Sequence, residues 1–193
     1  MFDIGGVLEI TQEMTFSVRW EEKLGLPAGS VGAPLEDVWA AGATGTMTEE
    51  AVHRTIGERL GIAPERVDAM MADMWVEYLG VANTELISYA RGLRPRLRTG
   101  ILSNSFVGAR EREQAAYGFE DLVDEIVYSH EVGMRKPDPR IYALACARLG
   151  VRPEETVFLD DVERAVQGAR EAGIHAIRFA DNAQAIAELA ACL

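Results

Sequence analysis

After residue 83 the chain alternates short apolar runs with stretches of helical spacing, and this alternation restricts the fold more than any other feature. Gly100-Ile101-Leu102, Ile126-Val127-Tyr128, Thr156-Val157-Phe158-Leu159 and Ile174 to Phe179 have strand length and are apolar almost throughout. Helices are predicted around them. One is capped by Asn83 or Thr84, carries Leu86, Ile87, Ala90 and Leu93, and is closed by Pro95. The others run from Pro139 to Leu149, around Val166 and Ala169 up to Gly173, and from Asn182 to Ala191. Strands that are apolar on both sides and separated by helices form a parallel sheet covered on both faces. The fold class is therefore α/β, with a core made of the first ten residues and of residue 83 onwards.

Between those two parts the pattern is helical only. Phe16, Trp20 and Leu24 recur every four positions between Thr11 and Leu26, and Gly25 and Pro27 stop that stretch. Thr46-Met47-Thr48-Glu49 fits the capping-box pattern ahead of Val52, Ile56 and Leu60. From Pro64, the residues Val67, Met70, Met71, Met74, Trp75, Tyr78 and Leu79 fall on one wide apolar face. Residues 11–82 thus read as a helical block inserted after the first strand, and 193 residues suffice for one core carrying such an insertion. Arg19, Trp20 and Trp39 are candidates to face a crevice between block and core.

Ligands of open parallel sheets sit beyond the carboxyl ends of the strands. Asp3, Ser103 with Asn104, and Asp160 with Asp161 each follow a strand-like run, and Lys136 lies in the loop Gly133-Met134-Arg135-Lys136-Pro137-Asp138-Pro139 after another. If those strands are neighbours, three carboxylates, a hydroxyl and a lysine meet. Two unit charges about 4 Å apart at an effective dielectric near 20 interact by roughly 4 kcal/mol, so such a cluster calls for a cation. Oxygen donors without histidine or thiolate suit magnesium, which keeps positions for water and phosphate oxygens; Asp3 is then a candidate nucleophile. His53, His130 and His175 have no spacing that suggests a metal site.

The net charge of −12, from 31 acidic and 19 basic residues, argues against nucleic acid and anionic membrane surfaces as partners. Cys146 and Cys192 form neither a metal motif nor a disulfide framework, which fits a reducing, cytoplasmic setting. No apolar run reaches the roughly 20 residues that span a bilayer. Only Met1 and Phe2 precede Asp3, so the first strand is either very short or truncated by a late start of the sequence.

Taken in order, Phe-Asp-Ile-Gly-Gly-Val-Leu, Ile-Leu-Ser-Asn-Ser, Gly-Met-Arg-Lys-Pro-Asp-Pro and Val-Phe-Leu-Asp-Asp resemble the four motifs of the haloacid dehalogenase-like hydrolase superfamily. The nearest resemblance is to the subgroup of the α-glucose-1-phosphatase-like enzymes and the N-terminal phosphatase domain of soluble epoxide hydrolase. This implies a Rossmann-like core (residues 1–10 and 83–193) with an all-helical cap domain (11–82). It also implies a magnesium-dependent phosphatase of a small phosphorylated metabolite, monomeric or homodimeric. Asp3 would form an aspartyl-phosphate and bind magnesium through its other oxygen, with the Gly5 carbonyl as a further ligand. Asp161 would ligate the ion, and Asp160 would ligate it or hold one of its waters. Ser103, Asn104, Lys136 and Gly6 would bind the phosphoryl group.

Two positions depart from that pattern. Gly5 stands where most phosphatases of the superfamily carry a second aspartate as general acid and base, a group ordinarily worth about 10²- to 10⁴-fold in rate. Turnover limited by the leaving group follows, with Glu9 a nearby substitute acid. Ala165 replaces an asparagine usual in the subgroup. The alternatives are a catalytically degenerate binding protein and a 2-haloacid dehalogenase, and the acidic Asp160-Asp161 pair argues against the latter.

Overall fold

The computed structural model describes residues 1–94 and 96–192; the expected helix stop at Pro95 lies outside them. From the N-terminus the chain forms β1 (Glu9–Ile10), α1 (Phe16–Leu24), α2 (Glu36–Thr44), α3 (Glu49–Leu60) and α4 (Pro64–Leu79), and returns through β2 (Val81–Ala82). It continues with α5 (Thr84–Leu93), β3 (Gly100–Ser103), α6 (Ala109–Tyr117), α7 (Phe119–Leu122), β4 (Glu125–Tyr128), α8 (Ser129–Val132) and α9 (Pro139–Leu149). The remainder is β5 (Val157–Asp160), α10 (Glu163–Glu171), β6 (His175–Arg178) and α11 (Asn182–Cys192).

The first three residues are the middle of the main sheet. Phe2 bridges Ile101 of β3 on one side and Leu159 of β5 on the other, both in parallel. Hydrogen bonds alternate between the two neighbours: Phe2 N donates to the Gly100 carbonyl and Leu102 N to that of Phe2, while Asp3 N donates to Leu159 and Leu159 N to Met1. With β3–β4 and β5–β6 also parallel, the order is β4-β3-N-terminal segment-β5-β6. The side-chain period of two then divides the core. Phe2, Ile101, Ile126, Leu159 and Ile177 pack on α5, α7 and α11, whereas Met1, Leu102, Val127, Phe158 and Ala176 pack on α9 and α10.

The helices α1–α4 bury a separate apolar cluster around Trp20, Val52, Ile56, Met70, Met71 and Trp75, which Phe106 and Val107 of the β3–α6 loop join. α2 seats that cluster on the core: Val107 N donates to the Gly42 carbonyl, and a Cβ on Gly42 would lie 2.2 Å from the Phe106 ring. Trp20 is therefore an interior residue, 4% exposed, its indole N–H donating to Asp73. The expectation that Trp20 faces a crevice is corrected, and Arg19 pairs with Glu77 on the outside.

Three other expectations are revised. Residues 11–82 are not purely helical, because β2 pairs antiparallel with β1 and brings the outgoing and returning chain side by side. Asn83 ties that crossing together, its side chain donating to the Val7 carbonyl. The first helix starts at Phe16 rather than Thr11, and α2 and α6–α8 were not foreseen.

Candidate active site

A parallel sheet places the ends of its strands on one edge, and Asp3, Asn104 and Asp160 reach that edge from neighbouring strands. Lys136 comes from the α8–α9 loop, which Asn104 pins by both ends of its amide. The Lys136 backbone N donates to Asn104 Oδ1 (2.7 Å), and Asn104 Nδ2 donates to the Lys136 carbonyl (3.1 Å). The Lys136 ammonium is thereby delivered between two carboxylates, 2.7 Å from Asp3 Oδ1 and 2.6 Å from Asp160 Oδ2, and it also donates to the Leu102 carbonyl. All three charged side chains are buried.

The remaining bonds leave one oxygen free. Asp3 Oδ1 accepts from Ile4 N at 2.8 Å, and Asp160 Oδ1 accepts from Val162 N at 2.8 Å. Among the described residues, Asp3 Oδ2 accepts no hydrogen bond. Burial pushes the Asp3 carboxyl above the ordinary carboxylate range, Lys136 opposes this, and the Asp160 charge adds to it. Asp161, half-buried, is raised by burial and then by Asp160.

Three carboxylates against one lysine leave an excess of negative charge. Asp3, Asp160 and Asp161 each offer an oxygen, and those oxygens lie within 4.8 Å of one another. Gly6 fits closely behind them: at φ 75° it adopts a conformation that favours glycine, and a Cβ there would lie 2.2 Å from Asp161 Oδ2. An oxygen-only, multiply anionic donor set of this size fits a hard divalent cation such as magnesium.

The cluster opens into a crevice of about 870 Å³ lined by Asp3, Gly5, Asn104, Lys136, Asp160 and Asp161 and, unforeseen, by Thr11, Arg135 and Arg164. Neither arginine side chain has a partner among the described residues. Of the expected set, Ser103 closes β3 at 2% exposure and, like Gly6, lies outside the crevice lining. Ala165 lines the crevice, and its carbonyl accepts from Tyr142 Oη. Trp39 lines an adjoining apolar cavity.

Glu9 lies beside this site in a cavity of about 190 Å³ that Gly5 and Asn104 also line. It is 1% exposed, and among the described residues neither carboxyl oxygen has a hydrogen-bond partner. Burial, reinforced by the charges of Glu113 and Asp3, pushes its pKa up to about 10. The fold therefore holds a proton that an unfolded chain releases near 4.5. Stability from this group is complete below that value and falls as pH rises towards 10, by about 1.4 kcal/mol per pH unit at most. Glu9→Gln is expected to flatten the fall of melting temperature between pH 5 and 9, measured in EDTA. An unchanged slope would mean that Glu9 is ionised in the fold.

The description "haloacid dehalogenase-like hydrolase" matches residues 1–173. The chain is 30% identical over 213 residues to bifunctional epoxide hydrolase 2 of Sus scrofa, covering 98% of this chain and 37% of that protein. It is 29% identical over 171 residues to a phosphoserine phosphatase of Thermus thermophilus, covering 82% and 66%. Its fold is similar to that of a HAD family enzyme from Bacteroides thetaiotaomicron solved as a magnesium complex. The TM-score is 0.79 at 24% identity, covering 92% of this chain and 90% of that one. The chain spans 19%, 37% and 39% of the length of the first curated relatives it matches. No helix among the described residues is long and apolar enough to cross a membrane.

Proposed function

The chain belongs to the haloacid dehalogenase-like hydrolases, and from that premise we propose that it is a magnesium-dependent phosphatase of a small phosphorylated molecule, working through an aspartyl-phosphate on Asp3. The observation that carries this reading is the Lys136 ammonium held between Asp3 and Asp160 with Asp161 beside them. Relatives named as phosphatases support it. A dehalogenase has no need of a third carboxylate at this place, because a halide leaves without a cation to take up charge.

In the proposed reaction the free Asp3 Oδ2 attacks phosphorus while Lys136 holds Oδ1 and fixes the carboxylate's orientation. The same ammonium offsets charge that builds on the phosphoryl oxygens, and preorganised charge of this kind supplies most of the catalysis in phosphoryl transfer. Asn104 keeps the lysine in place through the backbone of its loop. Arg135 and Arg164 are positioned to attract the dianion into an otherwise acidic crevice. Asp3, Asp160, Asp161 and the Gly5 carbonyl would hold magnesium, which when bound neutralises the cluster and polarises the phosphoryl group. Residues 11–82 act as the cap over the crevice. The test is phosphate release from an aryl phosphate, which should require magnesium and stop in EDTA.

Gly5 leaves the leaving group without the usual acid. A Cβ built there meets nothing within 4 Å, so an aspartate can be accommodated. Gly5→Asp is expected to raise kcat on alkyl phosphates towards the 10²-fold lower end of what such an acid contributes, about two orders of magnitude, with little gain on nitrophenyl phosphate. No gain in a folded variant would mean that the proton already has a source, with Glu9 the nearest candidate.

A further inference from the structure

Resting on the phosphatase reading, we propose that the ester cleaved is the phosphate of a flat, apolar, phenol-like alcohol rather than of a sugar or other polyol. Two independent features converge on it. The first is a cavity of about 540 Å³ that adjoins the catalytic crevice and shares Asn104 and Arg135 with it. Its walls include Phe16, Trp39, Phe106, Met14, Met74 and Val31. Trp39 is the corner of an aromatic angle, with Phe16 edge-on at 6.0 Å between centroids (87°) and Phe106 tilted at 6.0 Å (49°).

Several polar groups of that cavity are committed elsewhere, whereas Ser17, Glu36 and Arg135 at its rim pair with no side chain among the described residues. The Trp39 indole N–H donates to the Val31 carbonyl at 2.9 Å. Ser129 Oγ donates to the Ala43 carbonyl, and Ser105 Oγ pairs with His130 Nδ1 at 2.7 Å. A polyol hydroxyl laid against the Phe16, Trp39, Phe106 and methionine wall would give up water without a partner, and an unsatisfied hydroxyl costs about 1–3 kcal/mol. A ring finds aromatic edges and thioethers at contact distance. Cavities of this volume take a drug-sized apolar group.

The second feature is Gly5, which offers no proton to the departing oxygen. A phenol, with a pKa of about 10, departs as its anion far more readily than an alkanol, whose pKa is near the roughly 15.7 of water. In the proposed step Asp3 Oδ2 forms a bond to phosphorus as the phosphorus–oxygen bond to the ring breaks. The electron pair leaves on that oxygen, which takes a proton from water. A second water then attacks phosphorus and the bond to Asp3 breaks, returning the carboxylate and releasing inorganic phosphate. Cavity and missing acid thus select the same leaving group.

The experiment compares acetyl, 2-naphthyl, 2-naphthylmethyl and glycerol phosphates on the full chain with magnesium, before and after Ala40→Phe. Ala40 is exposed and lines the cavity, so the substitution fills it without touching the interior. The two naphthyl esters are expected to share a low KM, with kcat for the naphthylmethyl ester about 10²- to 10⁴-fold lower for want of an acid. Ala40→Phe should raise the KM of both naphthyl esters by about tenfold relative to that of acetyl phosphate. A KM ratio unmoved by Ala40→Phe, or glycerol phosphate used as well as 2-naphthyl phosphate, overturns the inference while leaving the phosphatase reading intact. Phosphate release from none of the four overturns both.

Discussion

Asp3→Asn is expected to abolish phosphate release, by about 10⁴-fold or more, the scale seen when a covalent nucleophile is removed from a working constellation. The amide keeps the shape of the carboxylate, and its oxygen can still accept from Ile4 N and face Lys136. What it loses is nucleophilicity and one buried negative charge. Because burial already raises the Asp3 carboxyl, the fold gains rather than loses from that neutralisation. The melting temperature in EDTA should therefore hold or rise while activity disappears, and magnesium should stabilise the variant less than the parent chain. A residual rate within tenfold of the parent would remove Asp3 from the mechanism.

Lys136→Met is expected to produce the largest loss of stability. The ammonium is the one cation among the described residues that contacts both Asp3 and Asp160, and its side chain is 2% exposed. Removing one partner of a buried ion pair strands the others and costs about 3–5 kcal/mol. The sign of the accompanying pH effect follows from Asp3. Without the lysine, which holds the Asp3 carboxyl down, that carboxyl rises further and takes up its proton more readily as pH falls, so the deficit should narrow from pH 8 towards pH 5. Magnesium should raise the melting temperature of the variant more than that of the parent, since the ion then supplies all of the neutralisation. Activity should fall even when magnesium restores the fold, because the phosphoryl group has lost its buried cation. A variant that melts like the parent in EDTA at pH 8 would mean that the carboxylates are not charged against Lys136.

These two outcomes rest on a site whose parts were largely legible in the sequence. β3, β4, β5 and β6 coincide with apolar runs to within a residue or two, because strands buried on both faces have little freedom in composition. Asp3, Asn104 and Asp160 accordingly stand at strand ends on one edge, whereas Ser103 is the last residue of β3 and lies outside the crevice lining. α2 was not legible: Val38 and Gly42 are its buried positions, too few to form a periodic stripe, and it is held by the close approach of Gly42 to Phe106. The N-terminal segment is central in the sheet although only its first residues pair, and its position depends on bridges to β3 and β5 that no local pattern encodes.

Other functional features depend on long-range contact in the same way. Glu9 reads as an isolated acid in an apolar run; burial raises it first and the packing of α6 adds the charge of Glu113, whose own carboxyl burial pushes up to about 8. Arg164 stands four residues beyond Asp160, which alone gives no reason to place it at the crevice. Arg135 lies inside the quoted loop motif, and adjacency to Lys136 was the signal that could have found it. Trp20 and Trp39 share a residue type and a helical setting, yet one is interior and the other lines a cavity. The difference lies in which neighbour each helix face meets.

The central claim is that Asp3 carries the phosphoryl group. The direct measurement is acid quench of the magnesium-loaded chain during turnover of an aryl phosphate, followed by peptide mapping. A hydroxylamine-labile phosphoryl group is expected on the N-terminal peptide, located at Asp3 and absent from Asp3→Asn. Turnover with no phosphoryl-enzyme, or with the group on any other residue, would contradict it.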